Sequence, residues 1–125
     1  MIRHKLSAIV MCLLTVSVAS ADQESLYGKW GTEAQCNGAL ITPKGTKRAS
    51  PFKIGSSWLE YGDVWCRLNW SIVKKTEDGL RATASALCGE DSVRDYMISF
   101  FLKDEALTIS WSIQYKNGPL ARCNL

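Results

Sequence analysis

The sequence predicts an all-β fold: a small antiparallel up-and-down barrel of seven or eight strands stapled by two disulfides, with a compact sandwich as the alternative packing. Three observations carry this expectation. Several runs alternate apolar and polar residues with a period of two, as strands with one buried face do. Turn residues separate these runs at short intervals, the spacing of small sandwiches and barrels. Four cysteines, Cys36, Cys66, Cys88 and Cys123, follow a leader-like segment, and an even count in an exported domain reads as a disulfide framework.

The leader comes first. Arg3, His4 and Lys5 make a charged start, residues 6–18 are almost wholly apolar, and Ala19-Ser20-Ala21 supplies the small residues a signal peptidase accepts. Residues 1–21 therefore read as a signal peptide cut before Asp22. The apolar run is shorter than the about 20 residues of a membrane span, and bulky Met11 speaks against lipidation at Cys12. Residues 22–125 form the single expected domain, exported to a periplasm or secreted, with no transmembrane segment once the leader is gone.

Removal of 21 residues changes what the composition implies. The whole chain of 125 residues carries a net charge of +3. The remaining 104 hold 13 lysines and arginines against 12 acids, a net +1, which gives no global electrostatic case for nucleic acid or an anionic membrane. His4 is the only histidine, and it leaves with the leader. The mature chain then has no Ser–His or Cys–His chemistry and lacks the commonest metal ligand. No C-x-x-C spacing replaces it, so the expectation is no metal, no cofactor and no enzymatic activity.

Along the mature chain, residues 26–32 read as a first strand and residues 33–37 as a turn. Residues 39–42 read as a second strand, residues 43–53 as a long loop, and residues 52–54 and 57–61 as short strands. From residue 63 to 74 the even positions Cys66, Leu68, Trp70 and Ile72 are apolar, with Trp65 and Val73 as exceptions on the other face. After the turn at residues 76–79, Leu80, Ala82, Ala84, Ala86 and Cys88 alternate in the same way. Placing Lys74 opposite Leu80 sets Ile72 against Ala82, Trp70 against Ala84, Leu68 against Ala86, and Cys66 against Cys88. Facing side chains in such a ladder stand about 4.5–5.5 Å apart at Cβ, close enough for a bridge. Cys66–Cys88 follows, leaving Cys36–Cys123. In the next hairpin, Leu102 opposite Leu107 aligns Phe100 with Ile109 and Ile98 with Trp111. Asn117-Gly118-Pro119 reads as a break before a terminal strand at residues 120–125.

Gly28-Lys29-Trp30, at the start of this meander, resembles the G-x-W opening of lipocalins and other calycins, avidins included. In lipocalins an arginine near the end of the barrel packs across that tryptophan, and Arg122 is placed to do the same. The chain is shorter than a typical lipocalin and lacks the usual C-terminal helix. Its organisation is also similar to small disulfide-bonded periplasmic barrels of bacteria, among which are inhibitors of lysozyme and of metalloproteases, though the full motif of neither inhibitor family is present. The resemblance implies a barrel, and either an inhibitor or a small-ligand carrier.

Candidate sites fall into five groups. Trp30, Trp70, Tyr96, Phe100 and Trp111 point inward, lining a cavity for a small apolar ligand or filling the core. Trp65, Leu87, Met97 and Phe101 stand at outward positions that alternation reserves for polar residues; a middle hairpin setting Leu87 against Met97 makes them a patch for a protein partner, unless loops cover them. Lys44, Lys47, Arg48 and Lys53 form a basic loop, suited to an acidic partner or simply solvated. Glu90, Asp91 and Asp95, with Asp104-Glu105, make acidic connections that would suit the cleft of a cationic enzyme. Glu60 and Asp63 flank a turn beside Trp58, Tyr61 and Trp65, an arrangement found in sugar sites but too common to imply a glycosidase. The functional expectation is an exported binding protein that recognises a macromolecule through its loops and outer face, with a hydrolase inhibitor as the concrete form. The alternative is a carrier with its ligand inside the barrel.

Overall fold

Each strand pairs antiparallel with its neighbour in sequence and the last pairs with the first, closing an up-and-down barrel. The computed structural model describes residues 20–89, 94–112 and 115–124; most of the expected leader, together with Glu90 and Asp91, lies outside them. Among the described residues the strands are β1 (Gly28–Gly31), β2 (Phe52–Ile54), β3 (Trp58–Tyr61), β4 (Val64–Thr76), β5 (Gly79–Cys88), β6 (Arg94–Lys103), β7 (Ala106–Ser110) and β8 (Lys116–Arg122). Two short helices, α1 (Ala21–Glu24) and α2 (Glu33–Asn37), flank β1. α1 spans the expected cleavage point, with Ser20 as its N-cap.

Inward residues of every strand meet in one core. Trp30, Phe52, Leu59, Ile98, Leu107 and Ile109 have no exposed surface, and neither has Leu26, which follows α1. Burying each such side chain contributes about 1.5–3 kcal/mol. Ala82, Ala84 and Ala86 of β5 leave room for the rings opposite them, and Trp70 packs against Phe100 at 5.1 Å between centroids.

Both disulfides form as the register predicts, Cys66–Cys88 and Cys36–Cys123. Pairing of β4 with β5 follows the expected register from Cys66 to Trp70 and then shifts by one residue. Ser71 makes the bulge, and its hydroxyl donates to the Thr83 carbonyl at 3.1 Å. Beyond it Val73, not Ile72, faces Ala82, and Lys75, not Lys74, faces Leu80. Ile72 is consequently 58% exposed while Val73 packs on the core. The correction has a plain cause: an extra residue in a strand exchanges its two faces.

Two further registers differ from expectation. β5 and β6 pair two residues away from the predicted alignment, with Leu87 opposite Asp95 and Ser85 opposite Met97. β6 and β7 pair as predicted through Leu102–Leu107 and Phe100–Ile109, around a two-residue turn in which Asp104 and Glu105 have φ of 50° and 64°. This left-handed pair matches the twist of a tight hairpin. However, β7 ends at Ser110, so Trp111 does not pair with Ile98 but bonds to the Tyr115 carbonyl. Residues 117–119 are not a break, because they lie within β8. There Gly118 and Pro119 together oppose Thr108 in a bulge, where the missing proline N–H costs no ladder bond. A Cβ on Gly118 would stand 2.6 Å from the Leu107 carbonyl oxygen.

The β1–β8 seam pairs Trp30 with Arg122 and Gly31 with Ala121, and the Cys123 N–H donates to the Lys29 carbonyl at 2.9 Å. Side chains complete it. The Arg122 guanidinium lies 4.2 Å over the Trp30 ring and donates to the carbonyls of Tyr27 and Ser25, each at 2.8 Å. The Trp30 indole N–H donates to the Leu26 carbonyl at 2.9 Å. Cys36–Cys123 then fastens α2 beside the seam.

Candidate functional site

Residues 32–51 leave the barrel between β1 and β2 and build one wall of a groove. Thr32 and Gln35 form a capping box that starts α2, and Gly38 ends it with φ of 65°. The chain then folds into a small hairpin. Ala49 N–H donates to the Ala39 carbonyl at 2.7 Å, Ile41 N–H to the Lys47 carbonyl at 3.0 Å, and Leu40 bridges to Arg48. At its tip, Gly45 N–H donates to the Thr42 carbonyl around Pro43 and Lys44, the i to i+3 bond of a β-turn with proline at its favoured position. The Arg48 guanidinium donates to the Gly38 carbonyl at 2.9 Å and braces the base. The expected second strand at residues 39–42 is thus one arm of this hairpin, held by a single bridge rather than a ladder.

The β3–β4 turn supplies the other wall. Tyr61 stacks on Phe52 at 4.1 Å with 6° between the rings, and Gly62 turns the chain with φ of 59°. Between hairpin and turn lies an open groove of about 670 Å³, lined by Ile41, Lys47 and Arg48 on the hairpin and by Tyr61, Asp63 and Val64 on the turn. Ile41 is 62% exposed, Val64 45% and Tyr61 37%. The groove is therefore amphipathic, with apolar surface in contact with water beside two cations and one carboxylate.

The predicted site residues are scattered relative to this groove. Lys47 and Arg48 line it, and Lys44 stands exposed at the hairpin tip. Lys53 does not belong to the loop. It sits half-buried on β2, opposite Lys29 on one side and Glu60 on the other. Trp65, Leu87 and Met97 remain uncovered on the outer face, with Leu87 opposite Arg67 and Asp95, which lie two residues from Trp65 and Met97 respectively. They form a slanting stripe across β4, β5 and β6 instead of the direct Leu87–Met97 pair. Phe101 is apart from them, opposite Arg81, whose guanidinium lies 4.2 Å above its ring. Glu60 faces Lys53 and Trp65 on the barrel wall while Asp63 turns into the groove, so the two carboxylates serve different surfaces. Asp95 pairs with Leu87 on the barrel wall, and Asp104 and Glu105 border a separate surface depression with α1.

The interior set divides into two clusters. Trp30 and Phe100 are 0% and 1% exposed, and Trp70 touches Phe100 and Tyr27 while its indole N–H donates to the Ser56 carbonyl. Trp30 and Phe100 both pack in the hydrophobic core. Tyr96 and Trp111 meet edge-to-face at 6.2 Å, with Tyr96 37% exposed.

Sequence reasoning missed Ile41 and Val64. Val64 has the parity of the inward residues of β4 but lies beyond the last covered position, a signal that alternation alone could have supplied. Ile41 is a lone apolar residue in a polar stretch and carried no such signal. Among the described residues no three His, Cys, Asp or Glu side chains group to hold a metal ion, and no helix is long and apolar enough to cross a membrane. The two disulfides suit an oxidising compartment rather than the cytosol. Comparisons with protein-family models, curated proteins and solved structures found no match to this chain.

Proposed function

We propose that this chain is an exported, non-enzymatic protein that binds a macromolecular partner and acts as an inhibitor of a hydrolase. The observation that carries the reading is the amphipathic groove between the 39–49 hairpin and the β3–β4 turn, where exposed Ile41, Tyr61 and Val64 adjoin Lys47 and Arg48. Contiguous exposed apolar surface marks a protein-binding patch, and tyrosine and arginine, both present here, are enriched at such interfaces. Rigidity supports the same reading. The hairpin is fixed by backbone bonds, by the Arg48 brace and, through α2, by Cys36–Cys123, so little ordering entropy is lost when a partner docks. A periplasmic or extracellular location accords with the leader-like start and the disulfides. The filled core around Trp30 and Phe100 favours binding on the outside over carriage within.

The test is an inhibition and binding panel of lysozymes and secreted proteases, run with residues 22–125 and with its Lys47→Glu variant. Inhibition of at least one enzyme at micromolar concentration, relieved in the variant, is expected. Absence of binding to every enzyme in that range would count decisively against the reading.

A further inference from the structure

We infer that the groove seats an extended peptide segment of a partner protein in which carboxylates alternate with apolar side chains. This rests on the reading of the chain as a macromolecule-binding protein and specifies what the site recognises. Charge complementarity selects the acidic part of the ligand: Lys47 and Arg48 line the groove, and Lys44 stands exposed at the tip of the same hairpin. The Arg48 brace to Gly38 uses Nη1, and the remaining guanidinium donors suit a carboxylate.

Two features separate a peptide from other anions. Ile41, Tyr61 and Val64 present exposed apolar surface within the same groove. A sulfated or phosphorylated glycan can lay a ring face on Tyr61 but gains little from Ile41 and Val64, whereas a leucine or phenylalanine side chain gains from all three. Asp63 shares the lining. It repels a continuous polyanion, yet a peptide meets it with a backbone N–H or a neutral residue. The volume of about 670 Å³ falls within the roughly 300–1,000 Å³ of ligand-binding clefts. A second copy of the chain fits less well, because its own basic hairpin would face this one.

The experiment titrates the isotope-labelled protein with an acetylated and amidated hexapeptide of alternating glutamate and leucine, followed by amide chemical shifts. Three controls run beside it: glutamine in place of glutamate, serine in place of leucine, and a heparin-derived hexasaccharide. Saturable shifts confined to Ile41, Lys47, Tyr61 and Val64 are expected with the parent peptide. Both altered peptides should bind about tenfold more weakly or less, the equivalent of one lost contact of about 1.4 kcal/mol. Lys47→Glu and Val64→Ser should each remove the shifts while leaving the thermal melt unchanged, since both side chains are exposed.

No saturable shift with the parent peptide overturns the inference, as do equal binding of the glutamine peptide, tighter binding of the hexasaccharide, or concentration-dependent shifts without any ligand. The enzyme panel fails separately. A hydrolase inhibited equally well by the Lys47→Glu variant leaves the inhibitor reading standing without this groove, and peptide binding with no hydrolase bound does the reverse.

Discussion

Arg122 closes the barrel where its ladder is shortest, and its removal should be among the more costly changes outside the core. The β1–β8 seam holds two residue pairs and one further backbone bond, from the Cys123 N–H to the Lys29 carbonyl. The guanidinium adds two hydrogen bonds at 2.8 Å to the carbonyls of Ser25 and Tyr27, and a face contact with Trp30 at 4.2 Å. Hydrogen bonds from a charged donor contribute about 1.5–3 kcal/mol each; Arg122 is half-buried, so the lower figure applies to both. Stacking on a tryptophan adds about 0.5–1 kcal/mol. Arg122→Ala should therefore cost about 3.5–4 kcal/mol, out of the about 5–15 kcal/mol typical of a domain. A loss of that size lowers Tm by roughly 15 °C or more in a domain of this length. Arg122→Lys keeps the charge but loses the planar fork and the stack, and should recover less than half. Urea titration followed by tryptophan fluorescence reads both variants, with a lower midpoint and an unchanged slope expected. A loss under about 0.5 kcal/mol for the alanine variant, the range of ordinary surface changes, or a lysine variant as stable as the parent, would refute the account of the seam.

Ile72→Ser should change stability by less than about 0.5 kcal/mol, as surface substitutions do, whereas Val73→Ser should cost about 1–2 kcal/mol from lost burial; the opposite order in urea titrations would restore the unbulged register. Closing a loop of 22 residues by Cys66–Cys88 is worth about 3 kcal/mol and one of 87 by Cys36–Cys123 about 4.5 kcal/mol, so the Cys36→Ser/Cys123→Ser pair should melt lower than the Cys66→Ser/Cys88→Ser pair. Mild reduction with alkylation and mass spectrometry should label Cys36 and Cys123 first, because they are half-exposed while Cys66 and Cys88 are 0% and 6% exposed; simultaneous labelling would contradict the packing. Gly118→Ala places a Cβ 2.6 Å from the Leu107 oxygen at a φ of 130° and should cost about 3 kcal/mol, the upper range for a strained backbone position, measured by the same titration.

The long hairpins were legible because alternation is a direct record of which face is buried. Cys66, Leu68, Trp70, Ala84, Ala86 and Cys88 fall where the period-2 reading places them, and the disulfide pairing follows from that register alone. Bulges escaped it for a physical reason. Ser71 looks like any outward polar residue, and only its bond to the Thr83 carbonyl, a tertiary contact, marks the slip. Gly118-Pro119 reads locally as a chain break, yet the approach of Leu107 and Thr108 turns it into a bulge inside β8. The groove was less legible still. Lys47 and Arg48 were visible as charge, but their partners Tyr61, Asp63 and Val64 come from a turn some fifteen residues on, and no periodicity links a hairpin tip to a distant turn.

Stability and recognition are segregated around this barrel, and strand length decides how. β4, β5 and β6 run 13, 10 and 10 residues and carry most of the ladder. β1, β2 and β3 run only 4, 3 and 4. Short strands contribute little pairing, but their ends come early and free the connection between β1 and β2 to stand away from the wall as α2 and the hairpin. Such a projection would ordinarily be mobile. Here the connection is fixed at one end by Cys36–Cys123 and at the other by Phe52, whose buried ring carries the stacked Tyr61. Of the residues that line the groove, Tyr61 and Val64 end β3 and open β4, whereas Ile41, Lys47 and Arg48 stand off the barrel on the hairpin. Substitutions at Lys47 or Val64 should accordingly alter recognition without loss of fold, whereas loss of Cys36 or Phe52 should disturb both together.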